Sequence, residues 1–353
     1  MKRILHVITT ISRGGAENQL LILAKAQIRD GFQVEVIFLK GEPELAIEFE
    51  DVGAKVNSSL LGYHPIYQVF ALRKYLKNYS GFVHAHLPRA ELMTAFSSRE
   101  FVFSRHNAEP FFPRSPKAIS NALSKFVSHR ARAGIAISNA VKDYLLESGE
   151  ICKCCHLYVV YYGIEPVMPD FHVKGDYQEK HPRIGTISRL VRQKDLETLL
   201  SAFALVLSEF PKAELLIVGS GPLESSLKEF AKNLGIENSL KWLGRTSDTE
   251  SFYRSLDTFV LTSRYEGFGL VLLEAMNLQV PVVATNISAI PEVVGSNHPL
   301  ISELSNPNSF AIHIVKSLSP SIRTEVMEFQ RSRLLLFETQ RLVSALNEIY
   351  SKS

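Results

Sequence analysis

Two glutamates with seven residues between them, Glu266 and Glu274, enclose the run Gly267-Phe268-Gly269-Leu270. An ionised carboxylate only accepts hydrogen bonds and can hold two hydroxyls at once, so carboxylates at this spacing suit a sugar and a ribose. Gly267 and Gly269 let the backbone approach an anion closely, and the helix that begins in the following apolar run would aim free N–H groups at it. The combination describes a cradle for a diphosphate. Reading the pair as ordinary solvated glutamates leaves the coincidence of glycine turn, helix start and carboxylates unexplained.

Two cations that could meet such a diphosphate, or stand as ordinary surface charges, lie in Gly185-Thr186-Ile187-Ser188-Arg189-Leu190-Val191-Arg192-Gln193-Lys194-Asp195. Arg189 would supply a fork of donors and Lys194 a point charge, both at the end of an apolar strand. No Asp-x-Asp pair occurs in the chain, so these side chains are expected to replace a metal, with no cofactor required. Gly219 and Gly221 follow another strand in Val218-Gly219-Ser220-Gly221-Pro222, but Glu224 occupies the place of a third glycine, which disfavours a nicotinamide enzyme. In Arg13-Gly14-Gly15-Ala16-Glu17, the N–H groups of Gly14 and Gly15 could reach a phosphate, although a plain turn has the same composition. His106 follows a strand in Arg105-His106-Asn107. His84 and His86 also stand at a strand end, where a histidine is as often structural as functional.

Elements that could position these residues alternate along the chain. Runs at 4–8, 34–39, 81–85, 102–104, 134–137 and 157–161 read as strands with helical patterns between them, and a second series follows at 183–188, 214–218, 240–243, 258–261 and 281–284. Such alternation predicts an α/β fold with parallel sheets wrapped on both faces and ligands at the carboxyl ends of the strands. Pro166, Pro169, Gly175 and Pro182 mark a linker between Gly163 and Pro182. The expected domains are therefore 1–165 and 166–337, and after Pro320 the helical spacing continues to a final helix, 338–353, with Leu342, Leu346 and Ile349 on one stripe.

The chain's 353 residues are too many for one ordinary domain, and its 46% hydrophobic content supports real cores. A net charge of +3 suits phosphate or an anionic surface without implying nucleic acid. Met1–Ile8 reads as a buried strand rather than a signal peptide, and no apolar run reaches the length of a membrane span, so membrane contact is expected to be peripheral at most. Cys152, Cys154 and Cys155 are three cysteines in one stretch, which argues against a disulfide framework and for a cytoplasmic protein. Cys152-Lys153-Cys154-Cys155-His156 matches no tetrahedral metal spacing. Arg105, Arg114, Lys117, Lys125, Arg130 and Arg132, with Phe111, Phe112 and Phe126 among them, fit a basic, aromatic face for an anionic membrane surface across 105–132, or a solvated helix face.

The Glu-x7-Glu pattern with Gly267-Phe268-Gly269-Leu270 inside it resembles glycosyltransferase family 4. That resemblance implies a GT-B fold: two Rossmann-like doubly wound domains facing a cleft, with the C-terminal helix returning to the first. Ser188-Arg189-Leu190-Val191-Arg192-Gln193-Lys194-Asp195 is similar to the family's Gly-Arg-Leu-x-x-x-Lys-Gly, with Ser188 and Asp195 at its glycines; an acid beside Lys194 is expected to weaken its field. Ser288 and Ala289 replace both glycines of Gly-Gly-x-Pro-Glu, a departure that puts the local donor contact in doubt. Val160-Tyr161-Tyr162-Gly163-Ile164-Glu165 resembles Pro-Asn-Gly-Ile-Asp with Tyr162 and Glu165 as departures, and receives no chemistry. By resemblance, Glu266 faces the transferred sugar, Glu274 the ribose, the Gly219 loop the nucleotide, Arg245 the base, and His106 the sugar and acceptor. The implied activity is retaining, metal-independent transfer from a nucleotide diphosphate sugar, a UDP-sugar before a GDP-sugar. The acceptor would be a glycan or lipid-linked, in cell-surface polysaccharide or lipopolysaccharide assembly at the inner face of the cell membrane. Rival readings are a nucleotide-sugar epimerase or hydrolase of the same fold, and a catalytically silent subunit.

Overall fold

The computed structural model describes residues 2–98, 100–167 and 181–352. It resolves into two compact units, Met1–Glu165 with Phe337–Ser353, and Pro166–Leu336. Pro169 and Gly175 of the expected linker lie outside the described residues.

The first unit runs β1 (Lys2–Ile8), α1 (Gly15–Arg29), β2 (Phe32–Phe38), α2 (Ala46–Asp51), β3 (Lys55–Asn57), α3 (Pro65–Lys77) and β4 (Phe82–His86). It continues through α4 (Pro88–Ser97), β5 (Val102–Arg105), α5 (Lys117–Arg130), β6 (Ala133–Ala136), α6 (Asn139–Glu147) and β7 (Leu157–Val159). All strands are parallel, in the order β3-β2-β1-β4-β5-β6-β7. Helices cover both faces of such a sheet, so its strands are buried on both sides rather than alternating: Ile4, Leu5, Val7 and Ile8 of β1 are all fully buried, with His6 buried among them.

The second unit runs β8 (Arg183–Ile187), α7 (Leu196–Glu209), β9 (Glu214–Val218), α8 (Glu224–Asn233), β10 (Leu240–Gly244), α9 (Thr249–Ser255) and β11 (Thr258–Leu261). It ends with α10 (Leu270–Asn277), β12 (Val282–Thr285), α11 (Ile290–Val294), β13 (Ile301–Ser302), α12 (Pro307–Ser317) and α13 (Pro320–Leu334). Its sheet is again parallel, ordered β10-β9-β8-β11-β12-β13. Leu199, Leu200 and Phe203 of α7 pack with Ile314 of α12 on one face of it.

The helical spacing after Pro320 is interrupted by a 3-10 turn, Leu335–Phe337, and the last helix, α14 (Thr339–Lys352), belongs to the first unit. Leu342, Val343, Leu346 and Ile349 join the core formed by Leu20 and Leu23 of α1. A side chain at Gly163 would lie 2.9 Å from the Thr339 backbone, so glycine is what lets the chain end of this unit sit against α14. Strand order reverses between β1 and β4 in the first sheet and between β8 and β11 in the second, and loops leaving the carboxyl ends at such points are where open α/β sheets hold ligands.

Candidate active site

At the second unit's switch point the loops after β8 and β11 are laced together. Thr262 Oγ1 donates to the Lys194 carbonyl at 2.8 Å, the Arg264 N–H to the Gln193 carbonyl at 2.8 Å, and Gln193 Nε2 to the Tyr265 carbonyl at 2.9 Å. This lacing delivers Lys194 to Glu266: Nζ lies 2.5 Å from Oε1, and Ser263 Oγ donates to the same oxygen at 2.6 Å. Both side chains of the pair are nearly buried, at 13% and 10% exposure, where an ion pair is screened weakly by water. Arg189 does not join them. It is exposed, and its Nη2 donates to Gln193 Oε1 at 3.3 Å.

Two of the four residues that replace family glycines keep glycine-like backbone, whereas Ala289 is right-handed at φ −78°. Asp195 has φ +47° and Ser288 φ +55°, in the left-handed region that costs a residue with a side chain. Each side chain compensates by bonding. Asp195 accepts from Arg264 Nη2 at 3.0 Å and from Ser305 Oγ at 2.6 Å; its charge is spent there, which corrects the expectation that it would weaken Lys194. Ser288 Oγ donates to the Glu266 carbonyl at 2.8 Å, so this replacement fastens the Glu266 loop rather than loosening it. The buried Ser188 Oγ has no hydrogen-bond partner among the described residues.

Gly219 and Gly221 are required by packing: a side chain would meet the Ser188 carbonyl at 1.8 Å and the Leu190 carbonyl at 2.4 Å. They let the β9 loop lie on the Arg189 loop, where the Leu190 N–H donates to the Ser220 carbonyl at 3.0 Å. Arg245, exposed after β10, donates from Nε to Ser220 Oγ at 3.0 Å. Gly269 caps α10 at φ +97°, with Gly267 and buried Phe268 before it and Leu270 opening the helix. One turn on, Glu274 Oε2 accepts from the Tyr253 hydroxyl at 2.8 Å; burial raises its pKa, and the phenol acts in the opposite direction. Thr262, Ser263, Gln193 and Tyr253 were not legible as site residues, because each acts by holding another side chain or a loop and carries no motif.

In the first unit, Gly14 is the N-cap of α1 and Gly15 its first residue. The helix start carries a carboxylate of its own: Glu17 accepts from Thr10 Oγ1 at 2.7 Å and lies against Gly14. His106, just past β5, meets the Tyr162 hydroxyl through Nδ1 at 2.5 Å and His86 through Nε2 at 3.3 Å. Burial, with Arg105 adding to it, lowers its pKa to about 3. Tyr162, left without chemistry by the sequence, is thus a direct partner of His106, and Glu165 bonds Lys25 at 2.7 Å and Arg29 at 2.6 Å of α1.

Two expectations require correction here. Arg105 and Phe111 do not lie on a surface face: Arg105 is buried, donating to Glu91 at 2.7 Å, Glu150 at 3.1 Å and Ser124 at 2.9 Å, with its guanidinium over the Phe111 ring. One cation between two buried acids leaves Glu91 pushed up to about 7, mainly by burial. Arg130 Nε donates to the Ala95 carbonyl at 2.9 Å and Arg132 pairs with Glu100, so 105–132 is not a continuous basic face. Second, Cys152 and Cys154 are joined as a disulfide, with His129 Nδ1 3.3 Å from Cys154 Sγ, while burial pushes the free Cys155 thiol up to about 11. Crowding that counts against a framework of distant bridges does not prevent two sulfurs two residues apart from meeting.

Two parallel Rossmann-like sheets, with cation, carboxylate and glycine-started helix at a switch point, define the GT-B class. Anabaena Alr3699/HepE, in a structure with UDP and glucose, has the same fold, with a TM-score of 0.82 at 20% identity over 100% of both chains. The chain matches "Glycosyltransferase Family 4" over residues 13–167 and "Glycosyl transferases group 1" over 168–328, and it belongs to glycosyltransferase family 4. A capsular polysaccharide biosynthesis glycosyltransferase, CapM of Staphylococcus aureus, is 31% identical over 172 residues, 48% of this chain and 45% of its own length. The lipopolysaccharide core biosynthesis mannosyltransferase LpsB of Rhizobium meliloti is 35% identical over 116 residues, 31% of this chain and 33% of its own. The matches to these relatives thus span less than half of their length.

Proposed function

We propose that the chain is a retaining, metal-independent glycosyltransferase that moves a sugar from a nucleotide diphosphate to a glycan or lipid-linked acceptor in the cytoplasm. The observation that carries this reading is the Lys194–Glu266 pair at the switch point, with the N-terminus of α10 opening within the same loop. Lys194 has three N–H donors and keeps two for a diphosphate while it holds Glu266. Charge that grows on the leaving diphosphate would meet this ammonium, the exposed Arg189 fork and the free N–H groups of α10, donors already in place before reaction. Glu266 would accept hydroxyls of the transferred sugar, and Glu274, steadied by Tyr253, those of the ribose. The donor's own phosphate oxygen would take the acceptor proton, which places acceptor and leaving group on one face and retains configuration.

The names of the relatives support an acceptor in capsular or lipopolysaccharide assembly, and the UDP and glucose bound by the Anabaena protein support a UDP-sugar. The bond from Ser288 to Glu266 counts against a silent subunit, since it preserves the loop that the lost glycine would have shaped. Incubation with a panel of nucleotide sugars in excess chelator tests the reading. Thermal stabilisation by one donor and transfer with retained anomeric configuration are expected. Dependence on manganese, or release of sugar to water without transfer, would overturn it.

A peripheral membrane role finds better support on α3 than on 105–132. Ile66, Tyr67 and Phe70 follow helical spacing and are 60% to 67% exposed, Tyr63 just before the helix is 55% exposed, and Arg73, Lys74 and Lys77 continue the same stripe. An aromatic and apolar stripe that runs into cations suits an anionic lipid surface. Among the described residues no helix is long and apolar enough to cross a membrane.

A further inference from the structure

Three histidines and a glutamine of the first unit form one hydrogen-bonded file that ends on Tyr162. His6 of β1 stands opposite His84 in register, with His86 two residues on, and Gln27 comes from α1. From the core outward, Gln27 Oε1 meets His6 Nε2 at 2.8 Å, and His6 Nδ1 meets His86 Nε2 at 3.0 Å. His86 Nδ1 then meets His106 Nε2 at 3.3 Å, and His106 Nδ1 meets the Tyr162 hydroxyl at 2.5 Å. Gln27 and His6 are fully buried and His86 nearly so.

Burial keeps these rings neutral: it lowers His6 to about 4, His106 to about 3, and His86 well below its ordinary value. A neutral imidazole has one donor and one acceptor, so a choice made at one end passes along the whole file. The Gln27 carbonyl only accepts, so His6 Nε2 carries its proton and Nδ1 accepts. His86 must then donate from Nε2 to His6, His106 must donate from Nε2 to His86, and Tyr162 must donate to His106 Nδ1. Turning the Gln27 amide over would move every one of these protons to the opposite nitrogen. Gln27 Nε2 has no hydrogen-bond partner among the described residues, so the file hangs on the Oε1 contact alone. His84 stands apart. Its partners are the hydroxyls of Tyr350 and Ser104, both at 2.7 Å, and hydroxyls can donate or accept, so its tautomer is not set from outside. Ligand atoms of His6, His84 and His86 lie close enough to share a metal ion, but every ring nitrogen of the three already has a partner.

We propose that Gln27 is a positioning residue that fixes His106 as the Nε2-protonated tautomer, so that His106 Nδ1 is a proton acceptor. His106 then meets a ligand hydroxyl only as an acceptor, by exchanging Tyr162 for it, whereas a reversed file would offer the same atom as a donor. This deepens the reading above, in which His106 faces sugar or acceptor.

Nitrogen NMR of the full chain, labelled at histidine and free of substrate, tests it, with His106 assigned by signal loss in His106→Asn. Expected are a proton on His106 Nε2 and a bare Nδ1 at pH 7.5. In Gln27→Leu the selection is gone and His106 should become a mixture of tautomers, although the two side chains do not touch; Gln27→Glu, which restores an acceptor beside His6, should return the single form. A wild-type His106 protonated at Nδ1, or the wild-type tautomer persisting in Gln27→Leu, overturns the proposal. If Gln27→Leu does not fold, the wild-type spectrum decides alone. No outcome depends on transfer activity, so failure here and failure of the proposed function are separable.

Discussion

Lys194 Nζ rests 2.5 Å from Glu266 Oε1, so the ammonium assigned to the diphosphate is paired, before any ligand arrives, with the carboxylate assigned to the sugar. In Lys194→Ala a nearly buried Glu266 keeps only Ser263, and the donor aimed at the growing charge is gone. Turnover should fall about a hundredfold, roughly 3 kcal/mol, with a much smaller change in donor affinity. Glu266→Gln should lower turnover while free nucleotide diphosphate binds nearly as before. Steady-state rates beside calorimetric binding of the nucleotide separate the two effects, and a Lys194→Ala protein at full speed would sink the mechanism.

Ser288 combines a strained backbone with a useful hydroxyl. Ser288→Gly relieves the left-handed φ and loses the bond to the Glu266 carbonyl, two effects of about 1 kcal/mol and opposite sign, so its melting temperature should stay close to that of the parent. Ser288→Val keeps the strain, adds a branched Cβ and loses the bond, and should cost about 2 kcal/mol or more. Equal melting of the Val and Gly variants would show that the loop does not hold this conformation in solution.

The fold was legible because its signal is repetitive: each buried strand is a short apolar run and each helix a 3.6-residue stripe. The strands missed were β3 and β13, three and two residues long, too short to show a period. Among site residues, the glycines at 219 and 221 and the Lys194 and Glu266 pair follow from motif and strand end. Asp195 was misjudged because sequence proximity to Lys194 says nothing of side-chain direction, and its carboxylate points to Arg264, 69 residues away. The 105–132 patch loses Arg105 for a related reason. Arg105 occupies the last position of a central strand, where a cation is buried and must find acids from two other elements.

The buried histidines make stability acid-sensitive, with a definite sign. An unfolded histidine takes a proton near pH 6.5, while His6 does not until about 4 and His106 until about 3, and His84 and His86 are likewise depressed. Between those values the unfolded chain binds more protons, so stability is complete above about 6.5 and is lost as pH falls. His6 and His106 each cost about 2 kcal/mol at pH 5, and His84 and His86 act in the same direction. Melting followed from pH 7.5 to 5 should drop over a range in which ordinary carboxylates stay mostly ionised, with Glu91, raised to about 7, acting in the opposite sense and offsetting part of the loss. An unchanged melting temperature at pH 5 would mean that the rings are hydrated or already charged.

The α3 stripe can be separated from the 105–132 segment by charge and by burial. Gln68 and Leu72 turn inward, with Gln68 Nε2 bonding the Leu39 and Leu60 carbonyls at 2.8 and 2.9 Å, so the opposite stripe is held outward by a fixed face. Substituting its outer residues removes no core contact, and melting should stay within about 0.5 kcal/mol of the parent. Arg73→Glu, Lys74→Glu and Lys77→Glu together should weaken sedimentation with anionic vesicles by about 1 kcal/mol per charge removed, and by less at high salt. Ile66→Ser with Phe70→Ser should weaken it further in a way that salt does not alter, since that contribution is burial of apolar area. Lys117→Glu, Lys125→Glu and Arg130→Glu together on α5 are the matched control and should change binding much less. Equal losses from both helices would return the membrane face to the first region, and a wild type that ignores anionic vesicles would remove it altogether.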